Sequence, residues 1–147
     1  MIKQAIIPLA GLGTRLLPLT SVIPKELLPI NGKTGLEYIL DECIDAGIVD
    51  IVLIISKKKK MIKDYFYQDN LYKKIIKKKN DKSLIREFKK IQQYRKKIRF
   101  VYQNEPRGTG DAILKTKNLI KENHFLMLLP DDLIIGENCS KKNDFYS

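Results

Sequence analysis

The chain has 147 residues, 44% of them hydrophobic, and a formal charge of +11 at neutral pH. That is the size of one domain, able to hide roughly two-thirds of its unfolded surface, and the apolar content excludes disorder of the whole chain. No apolar run reaches the about 18 residues that cross a bilayer, the opening "MIKQAIIPLAG" is too short for a signal peptide, and Cys43 and Cys139 have no metal-ligand spacing, so a reduced, cytoplasmic protein is expected.

Gln4–Leu9 is a short apolar run closing on a glycine turn, the pattern of a buried strand. Leu36, Ile39, Leu40, Cys43 and Ile44 recur at helical spacing before Gly47, predicting a helix over Leu36–Ala46. "DIVLIIS", Asp50–Ser56, reads as a second buried strand. Residues 57–99 then hold 18 of the 28 basic residues and 4 of the 17 acidic ones, a formal +14 against −3 for the rest of the chain. Apolar marks at Tyr65, Phe66, Leu71, Tyr72, Ile75 and Ile76, then Leu84, Ile85, Phe88 and Ile91, predict two or three amphipathic helices there. "IRFVYQ" is a third strand, Thr109 to about Ile120 a helix, and "HFLMLLP", His124–Pro130, a fourth strand ending in Asp131-Asp132. Strands alternating with helices give an α/β fold: a Rossmann-like, mostly parallel sheet with flanking helices.

The basic segment suits a nucleic-acid backbone groove or a solvated helical face. No nucleic-acid fold motif accompanies it, so the solvated face is preferred and nucleic acid is not expected as a partner. Such a field can still steer a small anionic substrate.

In open parallel sheets, ligands bind beyond the carboxyl ends of the strands. Three polar clusters are predicted there: Gly11–Arg15, Gln103–Asp111 and Asp131–Asp132. The first is neither a Rossmann fingerprint, because Leu16 stands where the third glycine belongs, nor a Walker A loop. "GKT" at Gly32–Thr34 follows Leu27, not glycine, at the required spacing, and no strand is predicted before it. What remains is a G-x-G turn whose backbone N–H groups can cradle phosphates, with Arg15 as a forked cation. Lys25 follows on a path stiffened by Pro24 and Pro29. Gln103 offers one acceptor and two donors, which match the edge of uracil, and Gly108 lets backbone approach a base.

The combination "AGLGTRLLP" and "PKELLP", with "ECIDAGI", "DIVLIIS" and the Q…G-x-G-x-A pattern from Gln103 to Ala112, resembles the bacterial sugar-nucleotide pyrophosphorylases as far as about Ile135. The resemblance implies a glycosyltransferase-A-like nucleotidyltransferase that makes UDP-glucose and pyrophosphate from UTP and glucose 1-phosphate with Mg²⁺. Ala10, Gly11, Gly13, Thr14 and Glu26 would then bind the nucleotide. Arg15 would hold the triphosphate, Lys25 would neutralise phosphates at the reaction centre, and Gln103 and Gly108 would choose uracil. Asp131 would ligate Mg²⁺, with Asp132 as the rival ligand.

Three positions depart from the family pattern: Lys33-Thr34 for Lys-Pro, Gly35 for an apolar residue, and Asp111 where uridylyl-transferring members usually carry histidine. Members also continue for roughly as much chain again, with a second metal-binding aspartate, a lysine for the sugar phosphate and most of the sugar pocket. The resemblance thus makes residues 1–147 the nucleotide-binding part, with little turnover alone and a tendency to form homo-oligomers. A nucleotide-binding module without turnover is the alternative.

Overall fold

The computed structural model describes residues 1–67, 70–105 and 107–130. β1 (Gln4–Pro8) leads through single 3-10 turns at Thr14–Leu16, Leu19–Ser21 and Lys25–Leu27 to a small hairpin of β2 (Pro29–Ile30) and β3 (Lys33–Thr34). α1 (Gly35–Asp45) and β4 (Asp50–Ile55) follow, then the basic segment as α2 (Lys60–Phe66), α3 (Asn70–Lys79) and α4 (Lys82–Lys97). β5 (Ile98–Tyr102), α5 (Gly108–Lys115) and β6 (Leu126–Met127) complete the described chain.

The main sheet has the order β5-β4-β1-β6, and every pairing in it is parallel. Such a sheet is covered on both faces, so its strands are apolar throughout. Successive residues still serve opposite faces. Ala5, Ile7, Ile51, Leu53 and Ile55 pack with Leu36, Leu40, Ile62, Phe66 and Tyr94 of α1, α2 and α4. Ile6, Val52 and Ile54 face the other way, against Ala112 of α5. The four expected strands and the mostly parallel sheet are therefore present, the last strand shortened to two residues. The helix expected from Thr109 to Ile120 stops at Lys115, where the Thr116 hydroxyl donates to the Ile113 carbonyl (2.6 Å).

The "GKT" stretch does follow a strand, a correction to the sequence reading, because Asn31 and Gly32 make the two-residue turn of the β2–β3 hairpin. Both have positive φ, 47° and 81°, the geometry of the tight turn that Asn-Gly favours. Thr34 then closes a capping box at the start of α1: its hydroxyl accepts from the Glu37 N–H (3.2 Å), and the Glu37 carboxylate accepts from the Thr34 N–H (2.9 Å). The same carboxylate accepts from Tyr65 of α2 (3.1 Å), tying three elements together. Burial raises the Tyr65 phenol well above its usual range, and the Glu37 charge beside it adds to the rise.

The basic segment is not wholly a solvated face. Lys59 is buried against Glu26, and Lys90 reaches Asp41 of α1 at 3.0 Å. Ile62 and Tyr94, unmarked in the sequence reading, join the core, whereas α3 buries nothing. Cys43 is buried in α1, and burial pushes its thiol up to about 12, so it packs as a small apolar side chain.

Candidate functional site

The carboxyl ends of β1 and β4 are drawn together by a hydrogen bond from the Leu9 N–H to the Ile54 carbonyl (2.7 Å). Beyond it the chain runs through buried Ala10 and exposed Gly11 into a left-handed turn at Gly13, φ +66°. Gly13 is held from behind, where the Thr20 hydroxyl donates to its carbonyl (2.8 Å). A β-carbon at Gly13 would lie 3.2 Å from Cγ2 of Thr20 and 3.5 Å from Cδ of Lys25. Glycine is thus favoured there by its dihedral angle and by the close Thr20 methyl, while the Lys25 stem passes at ordinary contact distance. Two motifs separated in sequence meet at this point.

Together they wall a cleft of about 670 Å³, lined by Gly13, Thr14, Arg15, Lys25, Glu26 and Pro130 among others. Arg15 is exposed on the Thr14–Leu16 turn and carries no ion pair among the described residues. Glu26 differs from the rest. It is 4% exposed, and both its carboxylate oxygens accept from Lys59 Nζ, at 2.7 and 2.9 Å. The carboxylate expected on the nucleotide side is engaged in a buried pair that fixes the Lys25–Leu27 turn against the end of β4. The sequence reading missed Lys59 altogether.

The second cluster lies at the end of β5, two strands from β1, or about 10 Å at normal strand spacing. The Gln103 N–H donates to the Ile55 carbonyl (2.9 Å), which seats the residue at the sheet edge with its side chain buried. Its amide nitrogen donates twice, to Asp111 Oδ2 (2.7 Å) and to the Gly108 carbonyl (3.2 Å). Gly108 has φ +87°, and a β-carbon there would meet nothing within 4 Å. Both donors expected to meet uracil are therefore spent inside the chain. On the neighbouring strand, Ser56 just past the end of β4 has a buried hydroxyl with no hydrogen-bond partner among the described residues.

Asp131 and Asp132 lie outside the described residues, as does Cys139. Among the described residues no three His, Cys, Asp or Glu side chains cluster as a metal site. A Mg²⁺ that keeps its waters and substrate phosphates needs only one or two carboxylates. Asp131 directly follows Pro130, which lines the cleft. A second cavity, of about 400 Å³, opens at the opposite end of the sheet between Lys3, Lys97, Lys121 and Arg99. Of its two lining carboxylates, Asp50 is held by Gln4 (2.8 Å) and by the guanidinium of Arg99.

A glycine turn, a lysine stem passing over it and an arginine meet at the carboxyl edge of a parallel sheet, in a fold of the nucleotidyltransferase class. The chain belongs to the nucleotidyl transferase family, whose sequence profile matches residues 4–146. It is 42% identical over 136 residues to UTP–glucose-1-phosphate uridylyltransferase of Mycoplasma pneumoniae, covering 92% of this chain and 46% of that protein. It is 38% identical to the enzyme of the same name from Bacillus subtilis, again across 92% and 46%. Among solved structures it is similar to UDP-glucose pyrophosphorylase from Acinetobacter baumannii, with a TM-score of 0.85 and 33% identity over 99% of this chain and 54% of that one. A UDP-glucose pyrophosphorylase complexed with UDP-glucose gives 0.72 and 35%, over 94% and 49%. The chain spans about half the length of the curated relatives it matches. Among the described residues no helix is long and apolar enough to cross a membrane.

Proposed function

We propose that this chain holds UTP for transfer of its uridylyl group to glucose 1-phosphate, giving UDP-glucose and pyrophosphate. The observation that carries the reading is the meeting of Gly13, Lys25 and Arg15 at one cleft beyond the end of β1. The likeness to uridylyltransferases across nearly the whole chain supplies the substrates.

In the reaction an oxygen of the sugar phosphate attacks the α-phosphorus in line and pyrophosphate leaves. Such a step asks for positioning and charge neutralisation, not a covalent partner. Backbone N–H groups of the Ala10–Thr14 turn receive phosphate oxygens. Arg15, with its forked guanidinium, binds the β- and γ-phosphates and the departing pyrophosphate. Lys25, stiffened against Gly13, neutralises charge at the α-phosphate. Asp131 would hold a Mg²⁺, which supplies further neutralisation of the triphosphate when bound. Gln103 and Gly108 face the base.

The chain's span of about half its relatives favours a second reading for these residues alone, nucleotide binding without turnover. One assay separates the two: pyrophosphate release from UTP and glucose 1-phosphate by purified residues 1–147, run beside UTP binding. Binding with turnover supports the transferase in this chain, and binding without it supports the nucleotide-holding part. Absence of UTP binding overturns both. Two cations of the basic segment, Lys59 and Lys90, serve the fold, and nucleic-acid binding by the rest is not proposed.

A further inference from the structure

We infer that Asp111 is the residue that makes the site choose uracil over cytosine, by fixing which end of the Gln103 amide meets the base. The inference rests on the proposed binding of a uridine nucleotide.

A glutamine amide can be turned over, exchanging a donor for an acceptor at little cost unless its neighbours object. Here they object. Asp111 Oδ2 at 2.7 Å and the Gly108 carbonyl at 3.2 Å are both acceptors, and both face the same nitrogen. Turning the amide over would set oxygen against oxygen at two places. Gln103 is 5% exposed, so no bulk water compensates for that. The nitrogen is committed inward, and the amide oxygen takes no hydrogen bond among the described residues. It is an acceptor that the fold leaves open at the carboxyl edge of the sheet.

A fixed acceptor selects a partner that donates. Uracil carries an N–H at ring position 3, whereas cytosine has a bare nitrogen there. Opposite the Gln103 oxygen, uracil gains a hydrogen bond and cytosine meets lone pair with lone pair. Without Asp111 the amide would be free to reverse and serve cytosine. Asp111 acts through Gln103, so it is a positioning residue. Its charge matters because a carboxylate has no hydrogen with which to accept the alternative orientation. An asparagine could turn over together with the glutamine.

The test compares UTP, CTP, 3-methyl-UTP and pyrophosphate binding to the parent chain and to its Asp111→Ala and Asp111→Asn variants, by calorimetry. The parent should bind UTP at least about tenfold more tightly than CTP or 3-methyl-UTP, the scale set by one unmatched buried polar group. Asp111→Ala should bring UTP and CTP to within about threefold of each other while pyrophosphate affinity stays unchanged. Asp111→Asn keeps the side-chain shape, so it tests the inference even where alanine disturbs α5; its UTP-to-CTP ratio should fall by at least about threefold. A parent that prefers UTP while both variants keep its full ratio overturns the inference alone. A parent that binds UTP no more tightly than pyrophosphate overturns the uridine reading and the inference with it.

Discussion

Replacing Lys59 by methionine would leave the Glu26 carboxylate in a site only 4% exposed, with neither water nor cation to balance it. In the folded chain the lysine lies 2.7 and 2.9 Å from the two carboxylate oxygens, and the paired side chains are 7% and 1% exposed. Removing one member of so buried a pair costs about 3–5 kcal/mol, because the remaining charge keeps its desolvation penalty and loses its attraction. For a chain of this size each kcal/mol moves the melting temperature by about 2–4 °C, so Lys59→Met should melt about 6–20 °C below the parent. Removing both charges should recover most of that loss, since a well-packed apolar pair is often as stable as the ion pair it replaces. Lys59→Met with Glu26→Leu should therefore melt within about 4 °C of the parent. Thermal unfolding followed by circular dichroism reads both variants. A single variant that melts within about 2 °C of the parent would refute the buried pair as a fixed part of the fold. UTP titration of the double variant adds a second reading: retained affinity means that Glu26 serves the turn and not the nucleotide.

Gly13→Ala puts a β-carbon 3.2 Å from Thr20 at φ +66°. It should lower stability by about 1–2 kcal/mol and UTP affinity by tenfold or more, measured by urea unfolding and titration. Asp41 accepts hydrogen bonds from Tyr94, Lys33 (2.9 Å) and Lys90 (3.0 Å). Burial alone would raise its carboxyl, but these donors outweigh burial and hold it below the ordinary 3.8. Its stabilisation is thus fully present above about pH 4 and is lost as pH falls through the lowered value. Asp41→Asn should lose about 1–3 kcal/mol at pH 7 and show a shallower loss of stability on acidification, followed by urea unfolding across pH.

The strands were legible because parallel strands covered on both faces are apolar runs that little else in the chain imitates. α1 was legible from its spacing, and the placing of Gly11–Arg15 and Gln103–Asp111 at one edge of the sheet followed from the rule that ligands gather at carboxyl ends. Two local features were written in the sequence and passed over: Asn31-Gly32, a strong hairpin signal, and the T-x-x-E capping box of Thr34 and Glu37. Lys59 is a different case. It stands in a run of four lysines, and nothing local separates it from its neighbours. Only the approach of Glu26, 33 residues earlier, decides which lysine goes inside. The apolar marks on α3 show the complementary limit. Periodicity tells which face of a helix is apolar, but not what covers it, and Leu71, Tyr72 and Ile75 are exposed in the described chain. Gln103 was read as a base-facing amide with all its groups available. Its pairing with Asp111, eight residues on, depends on the left-handed turn at Gly108 that folds α5 back upon it.

The most direct measurement of the central claim is a calorimetric titration of UTP into the 147-residue chain with Mg²⁺, repeated with Arg15→Ala and Lys25→Ala. The cleft between the Gly13 turn and the Lys25 stem predicts one site in the parent and at least about tenfold weaker binding in each variant, the scale of a charged hydrogen bond lost. Equal affinity in the parent and both variants, or no binding to a folded parent, would contradict the assignment of this cleft to the triphosphate.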